Sequence, residues 1–581
     1  MTYYRLFVIA LVVMITLPAA AQDAPPPLAN PADTPTADAD PDLVKSYQES
    51  ISADDLAAHL YFFASDFFEG RETSTRGQKM AAGYLAGQYQ KMGLAPAGTG
   101  GSDNVRDPGA YLQPFPLYGT RQAGSTVSIT GGMTSTFSAA DRDGHSVLVF
   151  GNKAESSGGV VFGGYGIAAP TLGYDDYQAM TNAGIDYTDS WLLILGDEPL
   201  ENAESSLLPT EDGKPSNWST SGSAKLRHLF RAGLPKGVLM VMDSSPRNQQ
   251  SMAEMADEGA ADMGGVGSLS LEEPTGAGGN TPPILGISTE FANALLAPSG
   301  RTVADLQAEI NGELIPVVFA IDGAEVTATV QTETYETSSE NVVAFIEGSD
   351  PELKDQVVVV SSHYDHIGMT GNPEGEDQVN NGADDDGSGT VAVLEIAEAF
   401  ARARDDGHGP RRSIAFLNVS GEEKGLLGSR YYTDSEPLFA LENTVANLNI
   451  DMIGRIDPTH PGEDDDYVYI IGSNLISQEL HDTNVRMNEL LGTNLDLNER
   501  FNSKDDPNQF YRRSDHWNFG KHEIPFIFFF TGTHEDYHGA DDEPDKIEYE
   551  RLARIGQLVF ATTWQLANQD ARPAVSGAGF N

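Results

Sequence analysis

Ionisable side chains of metal-binding type close strand-like apolar runs across the C-terminal half of this chain. They are His363 in VVVVSSHYDH, Asp385 in NNGADDDGSG, Glu423 in IAFLNVSGEEKG, Asp451 in NLNIDMIG and His538 in THEDYHGAD. Open α/β sheets deliver functional residues at the carboxyl ends of their strands, and the runs 356–361, 413–419 and 447–450 each end on or just before such a residue. Two histidines and three carboxylates suit zinc, and they suffice for two ions if one carboxylate bridges. Glu422, beside Glu423, is left free to act as base toward an activated water. The constellation implies a two-metal hydrolase.

A chain of 581 residues exceeds one ordinary core, so two or more domains are expected. Residues 1–21 read as a secretory signal peptide, with Arg5, the apolar stretch 6–17 and the small-residue site Ala19-Ala20-Ala21. The apolar stretch is short for a membrane span. The absence of cysteine excludes a lipobox and disulfides. A periplasmic or secreted protein with no stable membrane anchor after cleavage is therefore expected. The net charge of −51 repels phosphate backbones, which argues against nucleic acid as a partner.

Residues 22–44, rich in Ala, Pro and Asp, are expected to be a disordered spacer. Residues 45–139 begin the catalytic domain, with one helix capped by Ser52 and running to Phe63, and a second over 79–92 that stops at Gly93. Short strand-like runs with Gly-rich turns, such as GVVFGGYGI, WLLILGD and GVLMVMD, suggest a β-rich insert over 140–320. Within it, 253–280 is expected to be a long loop. Residues 321–570, where strands alternate with helices, complete the catalytic domain, and 571–581 form a flexible tail. The expected fold is α/β: a sheet flanked by helices and interrupted by the inserted β-rich domain.

In HYDH, alternation lets His363 and Asp365 face one cleft. His363 is the expected ligand, and Asp365 the acceptor for its ring N–H. His366 is expected to be structural, since no further ligand is needed. The three adjacent carboxylates Asp384, Asp385 and Asp386 repel one another, so their burial implies a cation. In GEEKG one Glu can ligate while its neighbour moves a proton. Asp451, closing an apolar strand, should not be buried unpaired.

Together HYDHIG, NNGADDDGSG, SGEEKGLLGS, NIDMIG, SDHWNFGKHEIPFIFF and DYHGADDEPDKI resemble the co-catalytic di-zinc exopeptidases, which include bacterial leucyl aminopeptidases and glutamate carboxypeptidases. These motifs occur in the family's order over about 340–560. The segment ASDFFEGRETSTRG resembles the start of such a catalytic domain, and GGYGI with LGYDDY resembles a protease-associated insert. The resemblance implies that His363 and Asp451 hold one zinc, Glu423 and His538 the other, and that Asp385 bridges them. It implies Glu422 as general base, Asp365 as support for His363, Tyr511 as an oxyanion-steadying group, and a cis Asp385–Asp386 peptide bond.

The expected function is an exported di-zinc aminopeptidase acting on peptide substrates, with cobalt or manganese also compatible with the ligand set. One alternative is a carboxypeptidase or dipeptidase of the glutamate carboxypeptidase type. That activity needs an arginine for the substrate carboxylate, with Arg411, Arg412, Arg430, Arg455, Arg512 and Arg513 as candidates. An alternative of another class is a non-catalytic, receptor-like binding protein on the same fold.

Overall fold

A computed structural model describes residues 41–577 apart from 102–105, 123–125, 131–134, 139–145, 151–154, 211–212, 221–223, 248–267, 274–281, 330–331, 371–376 and 461–465. The expected signal peptide and most of the spacer lie outside the described residues, as does most of the expected loop 253–280. The last spacer residues, 41–44, are not disordered but open the helix Pro41–Gln48, which buries Val44. Among the described residues no helix is long and apolar enough to cross a membrane.

The larger sheet is mixed and ten-stranded. Its centre consists of the parallel strands Ser413–Val419, Val357–His363, Thr444–Ile450 and Phe526–Phe530, in that order. Every residue of these strands is buried, which explains their near-continuous apolar runs: both faces are covered. Side chains alternate between two cores. Val358 and Val360 pack among the helices Ala53–Phe63, Arg76–Lys91, Gly389–Asp405 and Tyr549–Asn568, through Leu60, Leu85, Phe400 and Phe560. Val357 and Val359 point to the other face, against Leu417, Tyr432 and Phe519.

Antiparallel strands extend the sheet on both sides. Thr332–Ile346 pairs with Ser413–Val419, and Leu112–Gln122 follows it. Tyr467–Ile471 pairs with Phe526–Phe530 on the opposite side. The expected Ser52 cap and Gly93 stop agree with the local chemistry, while the second helix begins at Arg76, three residues before its expected start. The Ser52 hydroxyl accepts the Asp55 amide at 3.1 Å, and the Arg76–Lys91 helix stops before Gly93, which has φ +67°.

A second sheet of eight strands takes its members from Thr126–Thr130 to Val318–Thr329. The expected insert boundaries of 140 and 320 cut through it. Its centre is parallel, Glu155–Gly163 beside Trp191–Leu195, Gly237–Val241 and Ile284–Ile287. Parallel pairs need crossover connections, and the helices Asp176–Asn182, Ala224–Ala232, Thr289–Leu296 and Val303–Glu313 accompany them. The module thus carries more helix than its strand-like runs suggest. Its two motifs meet at the buried Asp176, which accepts the amides of Tyr165 and Ile167 and the Tyr174 hydroxyl. Part of the expected loop is also ordered, since Ser268–Ser270 pairs with Leu112–Gln122 at the edge of the larger sheet. The expected flexible tail is tied down through its first residues. Arg572 donates to the Glu442 and Thr444 carbonyls, and the Ser576 and Gly577 amides to that of Ile476.

The N-terminal segment joins the central sheet through Arg71, which is fully buried. Its guanidinium donates to the carbonyls of Tyr364 (2.9 Å), Phe63 (3.2 Å), Asn381 (2.6 Å) and Gly382 (2.8 Å). One side chain therefore ties the end of the helix Ala53–Phe63 to the two loops that carry His363 and Asp385. Removing it strands several buried carbonyls, so Arg71→Met is expected to cost about 3 kcal/mol of stability. Equilibrium urea unfolding measures this, and a loss within about 0.5 kcal/mol, typical of surface substitutions, would show that Arg71 does not hold these loops.

Candidate metal centre and active site

The carboxyl ends of the parallel strands bring five of the expected residues to one place. His363 ends its strand with Nε2 directed at 3.2 Å to Asp385 Oδ1 and 3.6 Å to Asp451 Oδ1. Asp451 follows the strand Thr444–Ile450. Glu423 follows Ser413–Val419 by a short turn. Its Oε2 lies 3.2 Å from His538 Nε2, which is also 3.0 Å from Asp385 Oδ2. His363, Asp385 and Asp451 thus form one cluster of potential ligand atoms, and His366, Asp385 and Glu423 another, each with its atoms within 4.8 Å of one another. Asp385 is common to both, and His538 adjoins the second.

These donors fit a pair of zinc-type ions. Each cluster combines imidazole nitrogen with carboxylate oxygen, the set this metal prefers. Their mutual distances are short enough for one ion per cluster. His363 and Asp451, with Asp385, would hold one ion; Glu423 and His538, with Asp385, would hold the other.

The loop 382–389 explains how three adjacent aspartates tolerate burial. Only Asp385 points into the ligand cluster. Asp386 accepts the amides of His363 (3.1 Å), Gly389 (2.9 Å) and Met452 (3.1 Å). Asp384 accepts the amide of Gly454 at 2.6 Å, and its other oxygen lies 3.3 Å from His534 Nε2. Asp542 in turn accepts the amides of Asp384 and Asp385. Backbone amides therefore engage both oxygens of Asp386 and one oxygen of Asp384, where mutual repulsion alone suggested a cation for the whole group. The Asp385–Asp386 peptide bond is cis. Gly382 has φ +57°, and a Cβ there would lie 2.4 Å from the Asp385 carbonyl oxygen, so the turn requires glycine.

Several expectations need adjustment. The Asp365 carbonyl, 3.1 Å from His363 Nδ1, faces that ring nitrogen, whereas the Asp365 carboxylate is 3.8 Å away. That carboxylate accepts the Thr73 hydroxyl at 2.6 Å and the Glu422 amide at 3.3 Å. Asp365 thus orients the ligand through its backbone and the Glu422 loop through its side chain. His366, expected to be structural, enters the cluster with Nδ1 at 3.0 Å from Glu423 Oε1. Tyr511 stands just outside the cleft. The cleft, of about 350 Å³, is lined by His363, Asp385, Glu422 and Asp451 together with Met452, Phe510, Arg513, Phe528, Phe530, Thr533 and Tyr537. The Tyr511 ring instead packs edge-on against Trp517, and its carbonyl meets His516 Nε2 at 2.9 Å. Tyr537, which stacks on the His538 ring at 3.9 Å between centroids, is the tyrosine on the cleft wall.

Arg71, Thr73 and Asp542 escaped the sequence reading. Arg71 and Thr73 fall in FEGRETSTRG and Asp542 in HGADDEPD, both quoted as family-like without assigned roles. The one available signal was an ionisable residue inside such a motif.

The electrostatics express the crowding of carboxylates. Burial pushes the Asp385 carboxyl up, but hydrogen bonds from His363 and His538 take it well below its usual range. Burial and Asp385 likewise raise Glu423, and contacts with His366 and His538 bring it down to about 2. Burial disfavours the charged form of His538, yet Asp385 and Glu423 raise its pKa to about 10. Burial opposes His363 too, and Asp451 and Glu422 raise it well above the ordinary value.

Residues 341–563 match Peptidase family M28. This segment belongs to the M28 peptidases. Leupeptin-inactivating enzyme 1 of Streptomyces exfoliatus is 31% identical over 192 residues, 32% of this chain and 40% of the relative. Aminopeptidase YwaD of Bacillus subtilis (strain 168) is 26% identical over 257 residues, 43% of this chain and 49% of the relative. The chain thus spans less than half the length of these curated relatives in the matched regions. Among solved structures, the aminopeptidase from Aneurinibacillus sp. strain AM-1 aligns over 93% of this chain and 100% of its own at 16% identity, with a TM-score of 0.49.

The surrounding carboxylates favour the protonated forms of His363 and His538, whereas ligation needs both histidines neutral. Zinc uptake should therefore release protons, and apparent affinity should fall as pH falls. Calorimetry in buffers of differing ionisation enthalpy measures this. Uptake with no proton release would contradict the assigned ligands.

Proposed function

We propose that this M28 peptidase is an exported di-zinc aminopeptidase that removes N-terminal residues from peptides. The observation that carries the reading is the sharing of Asp385 between two ligand clusters, with Glu422 beside them in one cleft. The aminopeptidase among its relatives supports the choice of terminus. The export half of the proposal rests on residues 1–21.

Two bound zinc ions would supply Lewis acidity toward the substrate carbonyl and make a water molecule easier to deprotonate. The chain's own residues supply the rest. Glu422 lines the same cleft as His363, Asp385 and Asp451. Burial pushes its carboxyl well above the usual range; His363 opposes this, and Glu423 and Asp515 add to it. A carboxyl raised in this way holds a proton more firmly than an exposed one, which suits it to take a proton from water and pass it to the leaving amine nitrogen. Met452, Phe510, Phe528 and Phe530 form an apolar wall suited to a substrate side chain. The acidic surround favours the cationic α-amino group of a free N-terminus. Asp365 holds His363 and the Glu422 loop in register. Tyr511 retains a proposed oxyanion role only if its side chain turns into the cleft.

The purified protein should hydrolyse Leu-p-nitroanilide, lose this activity to chelator and regain it with zinc. Glu422→Ala should lower kcat by about a thousandfold while still taking up zinc. Steady-state kinetics beside elemental analysis tests both statements. Activity that survives the substitution would remove Glu422 from the chemistry.

A further inference from the structure

The six arginines that sequence marked for a substrate carboxylate have different fates in the fold. Arg411 is paired with Asp350 and Asp570. Arg412 is buried and donates to Gln356 and to the carbonyls of Leu566, Gln569 and Asp570. Arg430 is bound to Glu272, Arg455 to Asp536, and Arg512 to the Gln509 side chain. Arg513 alone of the six lines the catalytic cleft. Its guanidinium lies over the Phe510 ring, 5.0 Å from the centroid, and among the described residues it has no carboxylate partner.

An unpaired guanidinium is notable in a chain with 86 acidic and 35 basic residues, where carboxylate partners are plentiful. The guanidinium rests against the Phe510 face, and its planar fork suits a two-point contact with a carboxylate. The metal side of the cleft presents the carboxylates of Asp385, Glu422 and Asp451, and Arg513 is the one cation among the lining residues besides histidine. The cleft lining thus combines three carboxylates with one guanidinium. We propose that Arg513 is a specificity-determining residue that binds a carboxylate of the substrate, so that this peptidase favours substrates carrying an anionic group close to the scissile bond. The proposal deepens, and rests on, the exopeptidase reading. The carboxylate has two sources: an acidic N-terminal side chain, or the free C-terminus of a dipeptide.

The test compares kcat/KM of the zinc-loaded full chain for two near-isosteric pairs, Glu- against Gln-p-nitroanilide and Leu-Gly against Leu-Gly-amide. The wild type should favour the charged member of one pair. Arg513→Ala should lower that charged-to-neutral ratio by about tenfold or more, as expected for loss of a charged hydrogen bond, and Arg513→Lys should restore part of it. A response confined to the first pair assigns the carboxylate to the N-terminal side chain; one confined to the second assigns it to the C-terminus. A wild type with no preference in either pair, or a preference that survives Arg513→Ala, overturns the proposal. Failure to cleave any of the four would count against the exopeptidase reading instead. Calorimetric binding of the same ligands then reads Arg513 without turnover: charged ligands should lose affinity in Arg513→Ala relative to neutral ones, and equal losses would overturn the proposal.

Discussion

The placing of buried negative charge is the constraint on which this structure depends. Asp365, Asp384, Asp385, Asp386, Asp451, Asp515 and Asp542 are all buried near the carboxyl ends of the central strands. Isolated carboxylates in such surroundings are costly, and each must find a donor or a cation. Most find backbone amides or hydroxyls. Asp386 gathers three amides, Asp542 caps the turn that presents Asp385, and Asp365 takes Thr73 and the Glu422 amide. These contacts lock the loops into one arrangement. The carboxylates that remain, on Asp385, Glu423 and Asp451, face histidine and the cleft. The division between satisfied and facing carboxylates is the physical basis of the metal centre.

The same loops are held from behind by groups of opposite sign. Arg71 spans three carbonyl-rich segments, and burial lowers its guanidinium to about 10 despite the nearby aspartates. Lys424, directly after Glu423, pairs with Glu72 at 2.8 Å. The N-terminal segment therefore supports the site from beneath although it contributes no ligand. An M28 segment defined by residues 341–563 alone omits these supports.

Much of the site was legible because the chemistry sits where strands end. His363, Asp451 and Glu423 follow fully apolar strands, and a carboxylate or imidazole there has few structural explanations. His538 was legible from the loop that follows the buried run 525–530, and its pairing with Glu423 came from the resemblance; it sits in that loop with φ +58°. His366 and the roles of Asp384 and Asp386 were not legible, because neighbouring residues of one type diverge in direction once the backbone turns. Tyr511 is a related case. In the short helical turn Phe510–Arg512 residues three apart share a side, so Phe510 and Arg513 line the cleft while the Tyr511 ring packs on Trp517. Long-range supports such as Arg71, about three hundred residues from three of its four carbonyl partners, carry no local signal at all. In the second sheet, short helices were hidden by the stronger pattern of the strands beside them.

The account makes Asp385 the shared element of two ion sites. The most direct test counts zinc bound per chain at saturation, by elemental analysis after gel filtration, for the wild type beside Asp385→Ala. Two ions in the wild type and fewer than one in the variant are predicted, because both clusters lose a ligand together. A wild type that holds one ion or none, or a variant that still holds two, would contradict the shared centre.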